Sequence, residues 1–161
     1  MGMITILAAA ALALAPTTAN ATAPAGTADD PIYNVSADDA QMNAAIARGR
    51  ATLAEFYRRL AAPRAGDGEF MVKFDIDPTD GVEYVWAVEL DRSRTPMTGI
   101  LINQPVYTDD REGDRVAIPE DRIIDWGYRS GRVMQGSFTN RVLIERMPPE
   151  EAAPFRRFLG W

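Results

Sequence analysis

The chain has 161 residues, of which 47% are hydrophobic and 25% charged, the composition of one globular domain rather than of a disordered segment. It contains no cysteine and no histidine, which excludes disulfides, thiolate or imidazole metal sites and a Ser-His-Asp triad. The net charge of −6 disfavours nucleic acid as a partner, because an acidic surface repels phosphate groups.

The chain opens with an apolar segment that is typical of an export signal. Residues 4–15 (ITILAAAALALA) form a continuous apolar run, and Ala19-Asn20-Ala21 follows with small residues on either side of a variable one. The run is shorter than the about 20 apolar residues that cross a bilayer. We therefore predict a signal peptide over residues 1–21, cleaved after Ala21. No Lys or Arg precedes the run, which is atypical of a signal peptide. A retained apolar anchor is the alternative.

The segment after the predicted cleavage site indicates a flexible tether. Residues 22–30 (TAPAGTADD) are small and polar and include a proline. A single folded domain is predicted over residues 31–161. Removal of the leader would place this domain in the periplasm or outside the cell, without a membrane span.

One amphipathic helix is predicted at the start of the domain, over residues 37–61. Ser36 and Asp39 have the spacing of a capping box, with Asp in place of the usual Glu. Apolar residues then recur at steps of three and four, which is the pattern of a helix packed along one face. Gly49 lies within this stripe and indicates close approach to a strand, because a glycine weakens a helix unless space requires it.

Six strands are predicted after the helix. Residues 69–76 and 82–90 alternate between apolar and polar positions on either side of a Pro-Thr-Asp-Gly turn at 78–81, which predicts a hairpin. The alternation places Lys73 opposite the apolar residues, so the first strand is predicted to be half-buried. The remaining strands are predicted at residues 98–103, 115–118, 123–128 and 132–134, the last two joined by a Ser130-Gly131 turn.

The C-terminal part is predicted less fully. Residues 138–146 fit neither the period of a strand nor that of a helix, and both remain open. Prolines and glutamates at 148–151 predict the start of a short last helix. The predicted fold class is α+β: a long N-terminal helix packed on a bent, mostly antiparallel sheet of five to six strands, with a short C-terminal helix.

Two acidic segments have some likeness to cation-binding loops, but neither predicts a metal site. Counted from Asp75, the sixth residue is Asp80 and the twelfth is Trp86, whereas an EF-hand loop requires Gly and Glu at these places. Residues 109–114 surround Gly113 with acids, a pattern that allows weak calcium binding and is typical of a solvated loop. We predict no metal and no cofactor.

The sequence lacks the common catalytic motifs. It has no G-x-S-x-G elbow, no Walker loop, no G-x-G-x-x-G and no H-E-x-x-H. Lys73, the single lysine, lies in the middle of a predicted strand with no sign of a serine partner. A pair of carboxylates remains as a route to acid and base catalysis. The chain is therefore expected not to be an enzyme, with a carboxylate-based hydrolase acting on cell-envelope material as the alternative.

Five residues are candidates for a binding site: Asp125, Trp126, Tyr128, Arg141 and Trp86. Trp and Tyr combine flat apolar area with a polar group, and Arg presents a planar fork that suits carboxylates, so such sets are typical of contact hot spots. The competing interpretation is structural: Trp126 packs in the core, and Asp125 either caps a turn or pairs with Arg141.

Several segments together resemble the YegJ-like domain-of-unknown-function family, DUF2314. Residues 42–53 are similar to its MNxAIxxAR helix, residues 70–73 to its VKxxF strand, and residues 123–141 to its I-x-D-W-x-Y tail with spaced glycines, Thr and Arg. The chain departs from the family's EHFW-like strand, because Tyr84 stands in place of the histidine. The resemblance implies a shared α+β domain and carries over no catalytic residue.

These observations lead to one leading expectation. The chain is predicted to be an exported, non-catalytic binding or interaction module, of which a protective or immunity-like role is one form. Its partner is expected to be an unidentified protein or a small ligand. A purely structural envelope protein is the third interpretation.

Overall fold

The computed structural model describes residues 3–7, 32–36, 38–76 and 82–161; the predicted cleavage site, tether and first hairpin turn lie outside them. The strands are β1 Met3–Leu7, β2 Ile32–Ser36, β3 Asp67–Asp75, β4 Val82–Asp91, β5 Met97–Leu101, β6 Arg115–Ile118, β7 Ile123–Ser130 and β8 Val133–Gly136. The helices are α1 Ala40–Ala61, α2 Phe138–Arg146 and α3 Pro149–Leu159. The predicted α+β class and the six predicted strands are confirmed.

The described strands form one sheet in the order β2-β1-β4-β3-β7-β8, with β5 between β4 and β6. Strands β3 to β8 pair antiparallel, as predicted. Two strands share one edge of β4. Strand β1 pairs parallel with residues 82–84, and β5 pairs antiparallel with residues 87–91. Since β1 lies within the predicted signal peptide, cleavage after Ala21 would remove it from this edge.

Helix α1 begins three residues later than predicted. Its N-cap is Asp39, whose Oδ1 accepts the backbone N–H of Met42 at 3.0 Å, whereas the predicted cap Ser36 is the last residue of β2. The expected close approach at Gly49 is confirmed, because a Cβ atom there would collide with the carbonyl oxygen of Ile124 on β7. Glycine thus allows α1 to lie directly on the sheet.

The main core lies between α1 and one face of the sheet. Leu53 and Phe56 of α1 pack in a single buried cluster with Val72, Val85 and Trp126 from three neighbouring strands. Phe56 and Val72 are completely buried, as expected for the centre of an α+β core.

The prediction of a half-buried β3 is wrong at Lys73, whose exposed fraction is 0%. Lys73 pairs in register with Trp86 on one side and Asp125 on the other, so the three side chains share the sheet face opposite the main core. Helix α2 covers this row, because the Lys73 ammonium reaches Thr139 and Asn140. Alternation in one strand cannot show that a helix far along the chain covers its polar face.

The second hairpin turns one residue later than predicted. Strand β7 continues through Ser130, which pairs with Val133, so the two turn residues are Gly131 and Arg132 rather than Ser130 and Gly131. Gly131 supplies the positive φ, 59°, that such a tight turn requires.

The open choice at residues 138–146 is resolved as helix α2. Gly136 and Ser137 both have positive φ, 70° and 53°, and turn the chain sharply from β8 into the helix. The predicted C-terminal helix is confirmed as α3, with Glu150 and Glu151 in its first turn and Gly160 in the left-handed conformation at its end. Within the described ranges, the helices are too short or too polar to cross a membrane.

Candidate functional site

Asp125 is the centre of a buried polar cluster on the α2 side of the sheet. Its Oδ2 accepts the backbone N–H and the hydroxyl of Thr139, both at 2.7 Å, and its Oδ1 accepts the backbone N–H of Trp126 at 2.8 Å. A carboxylate from β7 thereby caps α2, where the local residue Ser137 makes no side-chain cap. The sequence suggested that Asp125 either caps a turn or pairs with Arg141. In the structure it is a capping residue, but it caps a helix and not a turn.

Lys73 completes this cluster. Its ammonium lies 3.3 Å from Thr139 Oγ1, 3.5 Å from Asn140 Oδ1 and 5.3 Å from the centre of the Trp86 ring. Burial lowers the pKa of Lys73 to about 7, although the charge of Asp125 acts in the opposite direction. Burial likewise raises the pKa of Asp125, against the bonds from Thr139 and the charge of Lys73.

Trp126 ties the sheet to α1. Its indole N–H donates to the Gly49 carbonyl at 3.2 Å and the Thr52 hydroxyl at 3.1 Å, and its ring stacks on Phe56 with 5.4 Å between ring centres. The residue is 6% exposed. Gly136 is needed beside it, because a Cβ there would collide with the indole.

The other two candidates of the tail lie closer to the surface. Tyr128 stacks on Phe70, with 5.2 Å between ring centres. The Arg141 guanidinium donates to the carbonyls of Gly136 and Met134 at 3.2 and 3.3 Å and stacks 3.7 Å from the Trp161 ring centre. Arg141 therefore holds Trp161 near β8, and its guanidinium donates hydrogen bonds to backbone carbonyls.

The five candidates thus do not form one exposed patch. Asp125 and Trp86 have no exposed surface and Trp126 has almost none, so a partner cannot reach them in this fold. Tyr128 and Arg141 are partly exposed. Any part the buried three play in recognition must therefore be indirect, through the elements they hold.

A second arrangement joins β4 to the loop at residues 102–110, named here the 102–110 loop. The Glu83 carboxylate, 0% exposed, accepts the backbone N–H of Val106 at 2.7 Å and of Tyr107 at 3.0 Å. The backbone of Trp86 bonds the same loop, donating to Asn103 Oδ1 at 2.9 Å and accepting from the Ile102 N–H at 3.0 Å.

The tip of this loop is apolar and exposed. Val106 is 51% exposed and Tyr107 is 57% exposed, the two largest exposed fractions among the bulky apolar residues of the described chain. An exposed apolar side chain is ordinary by itself, but two neighbours held by a buried carboxylate form a fixed surface. Sequence reasoning missed this site, because the bond from Glu83 joins segments that are distant in the chain.

The described residues line at least two cavities. The first, of about 390 Å³, includes Glu89 and Glu112 in its lining, and Glu89 pairs with Arg115 at 3.4 Å. The second, of about 440 Å³, lies between Tyr57 of α1 and the end of β6. In the described part of the chain, no group of three or more acidic residues is placed to hold a metal ion.

The family profile described as "Uncharacterized protein conserved in bacteria (DUF2314)" matches residues 39–161, which includes α1, strands β3 to β8, α2 and α3. The chain belongs to the DUF2314 family. The resemblance found in the sequence is thereby confirmed, and it extends to the end of the chain.

Two curated relatives of this DUF2314 chain are similar to it over part of their length. A putative ankyrin repeat protein of Neisseria meningitidis serogroup B is 31% identical over 132 residues, covering 76% of this chain and 52% of that protein. The uncharacterized protein YegJ of Escherichia coli K12 is 30% identical over 88 residues, covering 54% of this chain and 58% of that protein. The chain therefore spans about half the length of these relatives. No solved structure matches it.

The DUF2314-like strand motif at residues 83–86 helps to hold the 102–110 loop. Glu83 and Trp86 both fix the 102–110 loop, Glu83 through its carboxylate and Trp86 through its backbone. Tyr84, which stands in place of the family's histidine, packs instead with Met42 and Ile124. The departure at residue 84 therefore leaves the attachment of the loop intact.

Proposed function

We propose that this DUF2314 chain is a non-catalytic interaction module of the cell envelope, which binds a protein partner through Val106 and Tyr107. The observation that carries the proposal is the pair of exposed apolar residues whose backbone is held by the buried Glu83. A protective or immunity-like role would be one use of such a contact.

The attachment of the loop favours binding for an energetic reason. Association costs free energy when flexible segments must be ordered, and that cost falls when a loop already has its bound conformation. Hydrogen bonds to a carboxylate are stronger than neutral ones, so the two from Val106 and Tyr107 hold the tip firmly. Tyr is also among the residue types enriched at contact hot spots.

The export part of the proposal is supported by the sequence. The apolar run at residues 4–15 and the small residues Ala19 and Ala21 have the pattern of a cleaved leader. Cleavage would also free the edge of β4 at residues 82–84, where β1 pairs. Because Glu83 lies on that edge and holds Val106, the freed backbone would adjoin the exposed loop tip, and a partner could add an extended segment there.

The interaction is testable by site-specific photo-crosslinking. A benzophenone amino acid replaces Tyr107 in one variant and Val133 in a control, since Val133 is an apolar residue of β8 that is also exposed, at 40%. We expect a discrete adduct at position 107 that is lost with Val106→Ser. Equal adducts at both positions, or none at 107 when the protein is in its native compartment, would contradict the proposal.

The second candidate function is the carboxylate-based hydrolase acting on envelope material. It is favoured by one observation, the cavity of about 390 Å³ that Glu89 and Glu112 both line. Turnover of cell-wall fragments that is lost with Glu112→Gln but kept with Glu145→Gln, an exposed residue of α2, would establish it. Equal turnover in both variants would reject this cavity as the catalytic site.

A further inference from the structure

The cavity beside Tyr57 has the size and position of a small-molecule site. It measures about 440 Å³ and lies between Tyr57 of α1, the loop between β4 and β5, and the end of β6. Ligand sites usually measure about 300 to 1,000 Å³. Its lining includes neither Val106 nor Tyr107, so the site is separate from the surface of the proposed function.

Apolar side chains form part of the lining of this cavity. Met97 and Ile118, 6% and 0% exposed, belong to the main core and reach the cavity from β5 and β6. Pro96 and Pro119 line it as well. Such a lining favours a ligand with a hydrocarbon body, because binding would remove further apolar surface from water.

Two guanidinium groups add positive charge to the same cavity. Arg92 lies 3.6 Å from the centre of the Tyr57 ring, and this stacking holds its planar fork in place. Arg94 is 3.9 Å from the Asp91 carboxylate, a long ion pair whose arginine side chain is 74% exposed. Such a weak, exposed pair contributes little and is easily exchanged for a ligand's carboxylate.

Glu120 restricts the charge of the ligand. It also lines the cavity, together with Tyr57, whose pKa is raised to about 12 by burial and by the charge of Glu120. The phenol therefore stays protonated and uncharged near neutral pH. Among the lining side chains, two arginines and one glutamate leave one net positive charge, and the Asp91 carboxylate beside Arg94 reduces the local positive charge further. The site therefore matches a monoanion better than a dianion.

We propose that the Tyr57 cavity binds a small organic monocarboxylate with an apolar body, whose carboxylate pairs with Arg92 and Arg94. The planar fork of arginine fits a carboxylate with two parallel hydrogen bonds, which gives orientation as well as affinity. The apolar body then lies over Met97 and Ile118.

The test compares N-acetylleucine with its uncharged amide, N-acetylleucinamide, by titration calorimetry and by shifts in amide NMR signals. We expect the acid to bind at least about tenfold more tightly than the amide, since one charge-assisted hydrogen bond contributes that much. Arg92→Gln and Arg94→Gln should each weaken binding of the acid, whereas Glu120→Gln should strengthen it. Arg156→Gln, on the exposed side of α3, is the matched control.

Opposite effects from the arginine and glutamate variants separate binding at this site from a loss of folding, because unfolding would weaken all variants alike. Equal binding of acid and amide would overturn the proposal. So would Arg92 and Arg94 variants that behave like Arg156→Gln. Inorganic phosphate serves as the competing probe, and displacement of N-acetylleucine by equimolar phosphate would show a general anion site and reject the apolar carboxylate.

Discussion

At the scale of single residues, the buried pair of Lys73 and Asp125 is the most unusual feature of the chain. Both are completely buried, and Thr139 connects them by accepting from the ammonium and donating to the carboxylate. Placing two ionisable groups in a core costs desolvation free energy, so their value lies in fixing α2 on β7 rather than in net stability.

This pair gives the stability a measurable pH dependence. Because burial lowers the pKa of folded Lys73 to about 7, from the ordinary 10.5, the unfolded chain holds a proton there that the folded chain lacks above pH 7. This group should therefore make the free energy of unfolding rise between pH 7 and 9. In urea titrations, the free energy of unfolding of Lys73→Met should therefore rise less between pH 7 and 9 than that of wild type. The control variant Val133→Ser should show the same rise as wild type. If the free energy of unfolding of Lys73→Met rises as much with pH as that of wild type and Val133→Ser, the role of Lys73 is contradicted.

Asp125 is expected to be critical for folding. Asp125→Ala leaves the buried N–H groups of Trp126 and Thr139 without acceptors and should lower the free energy of unfolding by about 3 kcal/mol. Asp125→Asn keeps an acceptor oxygen and should lose less. Asp121→Ala, an exposed change in the turn before β7, should stay within about 0.5 kcal/mol of wild type by thermal or urea unfolding. Equal losses in Asp125→Ala and Asp121→Ala would refute the capping role.

At the scale of elements, the position of α1 depends on the missing side chain at Gly49. Alanine is the better helix former by about 1 kcal/mol, so local propensity alone favours Gly49→Ala. The collision of a Cβ with the Ile124 carbonyl reverses this sign, and we expect a loss of about 2 kcal/mol in the free energy of unfolding. The control Ala44→Gly, on the exposed face of α1, should cost about 1 kcal/mol. Stabilisation by Gly49→Ala would contradict the packing described.

Elements with a strong local signal could be predicted from the sequence, and elements set by distant residues could not. The β3–β4 hairpin and α1 follow from period-two and three-to-four patterns. Helix α2 has no such pattern, because its start is determined by Gly136, Ser137 and the carboxylate of Asp125 on another strand. The resemblance to DUF2314 drew attention to the motif at residues 123–141. It did not show which side chains of that motif are buried.

The candidate site illustrates the same division. Residue type and sequence pattern singled out Asp125, Trp126 and Trp86 as candidates for a binding site. They could not show that all three are buried, because burial depends on which helix covers each sheet face. The exposed loop tip at Val106 and Tyr107 stayed hidden for the converse reason, since two apolar residues after a proline look like ordinary core.

At the scale of the whole molecule, cleavage of the predicted leader would change the sheet edge that a partner meets. If residues 1–21 are removed, β1 is lost and the β4 edge at residues 82–84 becomes free. We expect intact-mass measurement of protein from the envelope fraction to show a chain beginning at Thr22. A chain that retains Met1 in the cytoplasmic fraction would contradict export, and one retained in the membrane fraction would favour the uncleaved anchor.

In the proposed function, recognition depends on an apolar tip held by Glu83. The most direct measurement is the affinity of the partner captured at position 107 for three purified variants, by surface plasmon resonance. Val106→Ser combined with Tyr107→Ser should weaken binding at least about tenfold, and Glu83→Gln, which keeps one acceptor oxygen, by less. Val133→Ser should bind as wild type does. Equal affinity of wild type and the Val106→Ser/Tyr107→Ser variant would contradict the claim.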